Sequence, residues 1–142
     1  MSREKPINSR AKGSAFEREI ARELELLTGI RFTRNLEQVR AVDHCDLLPS
    51  DPAWPFSLEL KRYAAGTGCK PAWWEQAKRA AAKTGKTPCV VYKYDRREVR
   101  ACVPIQLLGN GTWPPGEDDM WAETTLGGLA YLAREIMAEK AA

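Results

Sequence analysis

No stretch of the 142-residue sequence comes near the roughly 20 consecutive apolar residues that a membrane-spanning helix needs. The sequence also has no repeat, no low-complexity tract and no apolar N-terminal segment typical of a signal peptide. Its four cysteines form no CxxC pair and it has one histidine, which argues against a structural zinc site and favours a reducing cytoplasm. A hydrophobic share of 44% beside a charged share of 29% is typical of globular chains. We therefore expect one cytoplasmic domain over residues 1–142, without membrane contact.

Charge is unevenly distributed along the chain, although the net charge is only +3. Residues 1–59 are close to balance, and residues 101–142 carry two basic against six acidic side chains. Residues 60–100 carry eleven basic side chains against three acidic ones. Such a basic segment favours binding to a polyanion, most commonly a nucleic acid. The alternative at this point is a solvated, lysine-rich surface that binds no ligand.

Hydrophobic periodicity and turn residues predict helices and strands around one sheet. Residues 1–13 are basic and are expected to form a loose arm, after which Ser14 and Glu17 match a capping box at the start of a helix. A second helix is expected over residues 71–84. The expected strands cover residues 30–36, 45–48, 56–61, 87–94, 98–103 and 120–123, and a last helix follows Thr125. This order predicts an α/β (α+β) fold in which a mixed β-sheet is flanked by helices on both faces.

The segment Phe56–Lys61 alternates apolar and polar residues, so one face of this strand points to the core and Glu59 and Lys61 share the other. Asp46 begins the preceding short strand, and strands joined by a tight turn usually pair, which would bring Asp46 beside Glu59. Adjacent carboxylates repel unless a cation lies between them, and oxygen ligands favour Mg²⁺ or Mn²⁺. Lys61 would hydrogen-bond the attacking water or stabilise a phosphate. This set predicts metal-assisted hydrolysis of a phosphodiester.

A simpler interpretation of the same residues stays open from the pattern alone. Glu59 and Lys61 would then form an exposed ion pair on a strand, and Asp46 would only begin a turn. Asp43 is a second candidate for the metal-binding aspartate, but Asp46 is preferred because two leucines continue it as a buried strand. The single histidine, His44, is expected to be a loop residue.

The run Lys12–Glu19 (Lys-Gly-Ser-Ala-Phe-Glu-Arg-Glu), with Arg34, Asp46-Leu47 and Glu59-Leu60-Lys61, resembles the PD-(D/E)xK nuclease superfamily. More narrowly, it resembles the archaeal-type Holliday junction resolvases and their phage relatives, over roughly residues 10–95. The resemblance implies a restriction-endonuclease-like fold, Mg²⁺ as cofactor with Mn²⁺ as substitute, and a homodimer that cleaves four-way DNA junctions. The host would be a bacterial or phage-infected cell, or an archaeon.

The same resemblance implies a set of site residues. The catalytic residues would be Glu17, Asp46, Glu59 and Lys61, and the metal would be held by Asp46, Glu59 and the carbonyl of Leu60. Cys45 stands where the family usually has proline, which puts the subfamily rather than the chemistry in question. Glu17 has a competing role in the capping box, where it would stabilise the helix by about 1 kcal/mol or less.

Contacts to DNA phosphates are expected from basic side chains and one amide, namely Arg10, Lys12, Arg62, Lys70, Gln76, Lys78 and Arg79. Gln76 could instead contact a metal-bound water. Trp73 is expected in the core, and Trp74 on the helix surface, at a dimer interface or against a base. Two other functions remain open: a related nuclease acting on nicked, flapped or duplex DNA, and a non-catalytic nucleic-acid-binding module of the same fold.

Overall fold

A computed structural model describes the backbone of residues 6–36, 44–109 and 120–142. It has three α-helices, which are α1 (Pro6–Thr28), α2 (Pro71–Thr84) and α3 (Leu126–Ala141). The strands are β1 (Phe32–Arg34), β2 (Leu47–Pro49), β3 (Phe56–Tyr63), β4 (Thr87–Tyr94), β5 (Arg100–Pro104) and β6 (Trp121–Thr124), and a 3₁₀-helix covers Ile105–Leu108. The order of elements agrees with the sequence prediction.

The six strands lie side by side in the order in which they occur in the chain. Every neighbouring pair is antiparallel except β3 and β4, which are parallel and paired from Phe56 with Thr87 to Tyr63 with Tyr94. A parallel pair needs a crossover, and α2 supplies it. Gly85 ends this helix with φ of 70°, a left-handed conformation that glycine adopts without the strain of a Cβ atom. The parallel pair β3–β4 among antiparallel neighbours confirms the predicted mixed sheet.

Two apolar layers cover the two faces of the sheet. The larger layer packs α1 and α3 against one face, with Ile20, Leu58 and Leu129 fully or almost fully buried. The smaller layer packs α2 against the other face through Trp73 and Val90. Because β3 is covered on both sides, its polar residues at the centre are buried as well. The alternating pattern correctly predicts which residues share a face, but not that both faces lose contact with water.

The first helix begins earlier than its capping signal indicates. It starts at Pro6, a residue whose fixed φ suits a first helical turn, so residues 6–13 are helical rather than a loose arm. Ser14 and Glu17 therefore lie inside α1, and the capping-box interpretation is wrong. The side chain of Glu17 contacts Arg34 instead of capping the helix.

Trp74 is buried rather than exposed, with 1% of its surface accessible. Its ring lies 5.5 Å from that of Trp121 on β6, centroid to centroid, and both belong to the layer under α2. Helical spacing within α2 could not reveal this partner, because β6 lies far away in sequence. The expectation that Trp74 packs at a dimer interface or against a base is wrong.

The last helix agrees with its predicted cap. The hydroxyl of Thr125 accepts a hydrogen bond of 3.0 Å from the backbone N–H of Gly128, which satisfies one amide at the helix start. Leu126, Leu129 and Ala133 face the sheet. In the described parts of the chain, none of the helices combines the length and the apolar character that crossing a membrane requires.

Candidate active site

The pairing of β2 with β3 brings Asp46 opposite Glu59. Leu47 faces Leu58 in this antiparallel pair, and the amide of Asp46 donates a 2.8 Å hydrogen bond to the carbonyl of Leu58. Asn35 holds the same segment from the other side, since its backbone N–H donates to the carbonyl of Asp46 at 2.9 Å. The backbone of Asp46 is therefore fixed between two neighbouring segments, as the tight connection between the strands predicts.

The side chains of Asp46 and Glu59 form a buried carboxylate pair, with 7% and 3% of these residues accessible. Burial raises the pKa of Asp46 to about 6, while the N–H of Leu60, 2.6 Å from Oδ2, favours its charged form. Burial raises the pKa of Glu59 to about 8, and the neighbouring Asp46 charge adds to the shift. At neutral pH the pair therefore retains a proton, which Glu59 shares with Asp46.

Lys61 lies beside this pair and is itself mostly buried, with 16% of its side chain accessible. Its ammonium nitrogen is 3.6 Å from Oε2 of Glu59 and donates a 2.7 Å hydrogen bond to Oε1 of Gln76 on α2. Its positive charge lowers the pKa of Glu59 against the effect of burial. The alternative of an exposed Glu59–Lys61 ion pair is wrong, because the side chain of Glu59 is only 4% accessible.

Glu17 reaches the same region from α1. Its Oε1 accepts a 2.8 Å hydrogen bond from Nε of Arg34 on β1, and the guanidinium also donates to the hydroxyl of Ser14 at 3.1 Å. The Glu17 charge raises the pKa of Asp46, which places these two carboxylates within electrostatic reach of each other. Four separate elements thus contribute charged groups to one region: α1, β1, the residue before β2, and β3.

Two residues that build this region have no function assigned by the sequence analysis. Arg34 occurs in the motif that carries the family resemblance, but nothing local to it indicates its pairing with Glu17. Asn35 is buried, and its side-chain amide donates to the carbonyl of Cys45 at 2.9 Å. Neither contact has a signal in residue spacing, because each joins segments that approach only in the folded chain.

Comparison with known proteins assigns the chain to a family. Residues 8–112 match the model of a family described as "Phage putative PDDEXK endonuclease". The chain belongs to this endonuclease family. Its fold class and its resemblance to PD-(D/E)xK nucleases are thereby confirmed, and the family implies DNA as substrate.

Among solved structures, the endonuclease is similar to Hjc, a Holliday junction resolvase from the archaeal hyperthermophile Archaeoglobus fulgidus. The TM-score is 0.55 at 20% sequence identity, over 86% of this chain and 98% of Hjc. At this identity the similarity shows the fold alone. No curated protein matches the sequence.

The donor set of the endonuclease fits a divalent ion. Oε1 of Glu59 is fully enclosed and receives no hydrogen bond from the described N–H and O–H groups, and it lies next to a second carboxylate whose charged form is disfavoured. Mg²⁺ is usually held by one or two carboxylates, with water completing its shell. Three or more acidic, histidine or cysteine side chains do not converge on a common point within residues 6–36, 44–109 and 120–142. The endonuclease can thus offer Asp46, Glu59 and backbone carbonyls, with water for the rest.

The predicted DNA-binding side chains fall into two groups. Lys12 and Arg62 converge on Oδ1 of Asp95, at 3.3 and 2.7 Å, beyond the end of β3 that carries Lys61. Gln76 is partly buried and contacts Lys61, so it belongs to the active-site region.

The second group lies on or next to α2. Lys78 pairs with Glu75 at 2.9 Å, and Arg79 is exposed on the same helix. The ammonium of Lys70 lies 5.7 Å from the ring centroid of Trp73, a distance typical of a cation–π contact. The side chain of Arg10 and the whole of Asp43 lie outside the residues that the structure describes.

Proposed function

We propose that this endonuclease requires Mg²⁺, with Mn²⁺ as a substitute, and that Asp46, Glu59 and the carbonyl of Leu60 hold the ion. The buried Asp46–Glu59 pair is the observation that carries this proposal. Two carboxylates enclosed side by side are unfavourable by themselves, and the raised pKa values express that cost. A divalent cation between them would relieve it. A bound Mg²⁺ ion supplies a Lewis acid that lowers the pKa of water and neutralises charge growing on the phosphate.

The other charged groups act on the reacting phosphate and on water. Lys61 is held at its base by β3 and at its ammonium by Gln76, so it can donate a hydrogen bond to the attacking water or to a phosphate oxygen. Glu17 lies within electrostatic reach of Asp46 and is oriented by Arg34, which suits a role through an intervening water. Catalysis would thus use Glu17, Asp46, Glu59 and Lys61 with in-line attack, and the resemblance to PD-(D/E)xK nucleases implies 5′-phosphate and 3′-hydroxyl ends.

We propose branched DNA, and in particular the four-way junction, as substrate of a single nuclease domain over residues 1–142. Two things support this choice: the similarity in fold to Hjc, which is a Holliday junction resolvase, and the sequence motifs shared with such enzymes. The basic side chains Arg10, Lys12, Arg62, Lys70, Lys78 and Arg79 would bind phosphates and carry no information about base sequence.

We propose further that the enzyme acts as a homodimer. Resolution of a four-way junction requires cuts in two strands, and the described part of the chain offers a single buried carboxylate pair beside a lysine. Two copies related by a two-fold axis would present two such sites. Light scattering on the purified protein, alone and bound to a junction, measures the number of copies directly.

The deciding experiment compares a synthetic four-way junction with a linear duplex of matched sequence, each with Mg²⁺ and with EDTA. We expect Mg²⁺-dependent cuts in the junction and slower or no cleavage of the duplex. Equal cleavage of both substrates would retain the metal proposal and overturn the junction preference. Binding to both with no cleavage under any metal would instead identify a non-catalytic binding module.

A further inference from the structure

Asp95 is fixed in the turn between β4 and β5. Its backbone N–H lies 3.2 Å from the carbonyl oxygens of both Tyr63 and Ala64, which ties this turn to the end of β3. The carboxylate therefore stands at a defined place near the active-site strand, and it remains 41% accessible. The same turn carries Arg96, Arg97 and Glu98, and of its two carboxylates it is that of Asp95 which contacts β3 and α1.

Two cations from distant elements meet on one oxygen of this carboxylate. Nη1 of Arg62 on β3 is 2.7 Å from Oδ1 of Asp95, and Nζ of Lys12 on α1 is 3.3 Å from the same atom. Arg62 also donates to the carbonyl of Tyr63 at 2.7 Å, so its guanidinium is held at two points. Asp95, Arg62 and Lys12 thus combine one negative with two positive charges, and their net charge is +1.

We propose that Asp95 is a positioning residue for a DNA backbone phosphate, which binds the outer side of Arg62 and Lys12. This inference rests on the proposed function, since it assumes that DNA lies across the end of β3. The carboxylate holds the two cations close together in the absence of DNA and neutralises one of their charges. It therefore gives the phosphate a preorganised site while limiting how tightly any DNA is bound.

The location of this phosphate site follows from α1. Lys12 and Glu17 are five residues apart on one helix, which is about 7.5 Å along its axis. This is about two nucleotide steps of duplex DNA, at roughly 3.4 Å per step. Arg62 is also adjacent to Lys61 but points to the opposite side of β3. The site would thus hold a phosphate about two nucleotide steps from the one that is cleaved, and not the scissile phosphate itself.

The test is the salt dependence of DNA binding, measured with the full chain and a labelled linear duplex and four-way junction in EDTA. Asp95→Asn keeps the size of the side chain and one acceptor oxygen but removes the charge. The loss of the Asp95 charge leaves about one more positive charge of Lys12 and Arg62 to interact with DNA. The slope of log K against log salt should therefore become steeper by about 0.9. Over a fourfold range of salt this is a change of about 3.5-fold in relative affinity, so Asp95→Asn should bind more tightly than wild type at low salt and converge with it at high salt.

Asp51→Asn is the matched control, because it makes the same chemical change at the other end of β3, in the loop that precedes this strand. Its slope should equal that of wild type. In a background of Lys12→Ala with Arg62→Ala, the effect of Asp95→Asn should disappear. Asp95→Ser provides a second neutral variant, and thermal melting of each variant verifies that it is folded.

Three results would overturn the proposal. One is an Asp95→Asn slope equal to that of Asp51→Asn, which would make Asp95 a local feature of the turn. Another is weaker binding by folded Asp95→Asn and Asp95→Ser at low salt, which would mean that the carboxylate does not limit affinity. If wild type itself binds neither DNA, the proposed function fails and the Asp95 inference fails with it, whereas the first two results leave cleavage unaffected.

Discussion

Gln76 on α2 accepts a 2.7 Å hydrogen bond from the ammonium group of Lys61 on β3, the strand that precedes this helix. The same ammonium is 3.6 Å from Oε2 of Glu59. Without the amide, Lys61 would be drawn towards Glu59 and away from the phosphate it is proposed to contact. The position of the Lys61 ammonium group thus depends on α2, the crossover helix that packs against β3.

Gln76→Ala should therefore lower the single-turnover rate of cleavage at saturating enzyme by about 10- to 100-fold, the scale expected for a misplaced catalytic group. Affinity for DNA should change by less than about twofold, since no phosphate contact is removed. Ala82→Ser, at an exposed position of the same helix, is the control. A loss of affinity with an unchanged rate would show that Gln76 contacts phosphate directly.

Replacing either buried carboxylate should separate cleavage from binding. Glu59→Gln and Asp46→Asn should each reduce cleavage in Mg²⁺ by about 10²- to 10³-fold or more, because each removes a proposed metal ligand. Binding to a junction should stay equal or become tighter, since a negative charge near the phosphates is lost. Asp51→Asn should retain both properties. Weak binding combined with normal cleavage per bound complex would contradict these roles.

The stability of the metal-free protein should depend on pH through Glu59. Its pKa in the folded chain is about 8, above the ordinary value of 4.5, so the folded state binds this proton more tightly than the unfolded state does. That contribution is complete below about pH 4.5 and is lost as the pH rises through 8. Glu59→Gln cannot lose a proton, so its melting temperature should exceed that of wild type increasingly between these pH values.

The measurement is thermal melting in EDTA across this range, where each 1 kcal/mol corresponds to roughly 2–4 °C. Adding Mg²⁺ at pH 8 should stabilise wild type more than Glu59→Gln, because the ion needs both carboxylates. A constant difference between the two proteins at all pH values would mean that Glu59 does not titrate as its surroundings indicate.

The partly buried Lys78 and the exposed Arg79 on α2 give a test of the DNA path. Lys78→Ala combined with Arg79→Ala should weaken binding and reduce the slope of log K against log salt by about 0.9 for each lost phosphate contact. Lys140→Ala on α3, an exposed lysine on another helix, should leave the slope as it is in wild type. If the double variant also retains the wild-type slope, α2 lies away from the DNA.

Local signals predicted the parts of the fold that depend on near neighbours. The alternation in Phe56–Lys61 gave β3, Gly85 gave the end of α2, and Thr125 gave the cap of α3. Asp46 was expected beside Glu59 because a short connection between strands leaves few other arrangements. Each of these rests on a few adjacent residues or on a tight turn.

What the sequence could not predict depends on partners that are distant along the chain. Glu17 fits a capping box locally, but its partner in the fold is Arg34. Trp74 looks exposed on α2 alone, and Trp121 buries it. The raised pKa of Glu59 depends on β3 being covered from both sides, which a period of two does not reveal. Residue spacing thus identified residues of the candidate site but not which residues contact each other in the fold.

All the proposed catalytic groups, and Gln76 that positions Lys61, precede β4, and the family match itself ends at residue 112. The final helix contributes apolar cover to the sheet through Leu126, Leu129 and Ala133 and no charged group to the carboxylate pair. The proposed chemistry therefore uses residues between 17 and 76, whereas α3 contributes mainly shape and hydrophobicity. Relatives of this endonuclease should accordingly diverge fastest in α3, exchanging one apolar residue for another while the nuclease motifs stay the same.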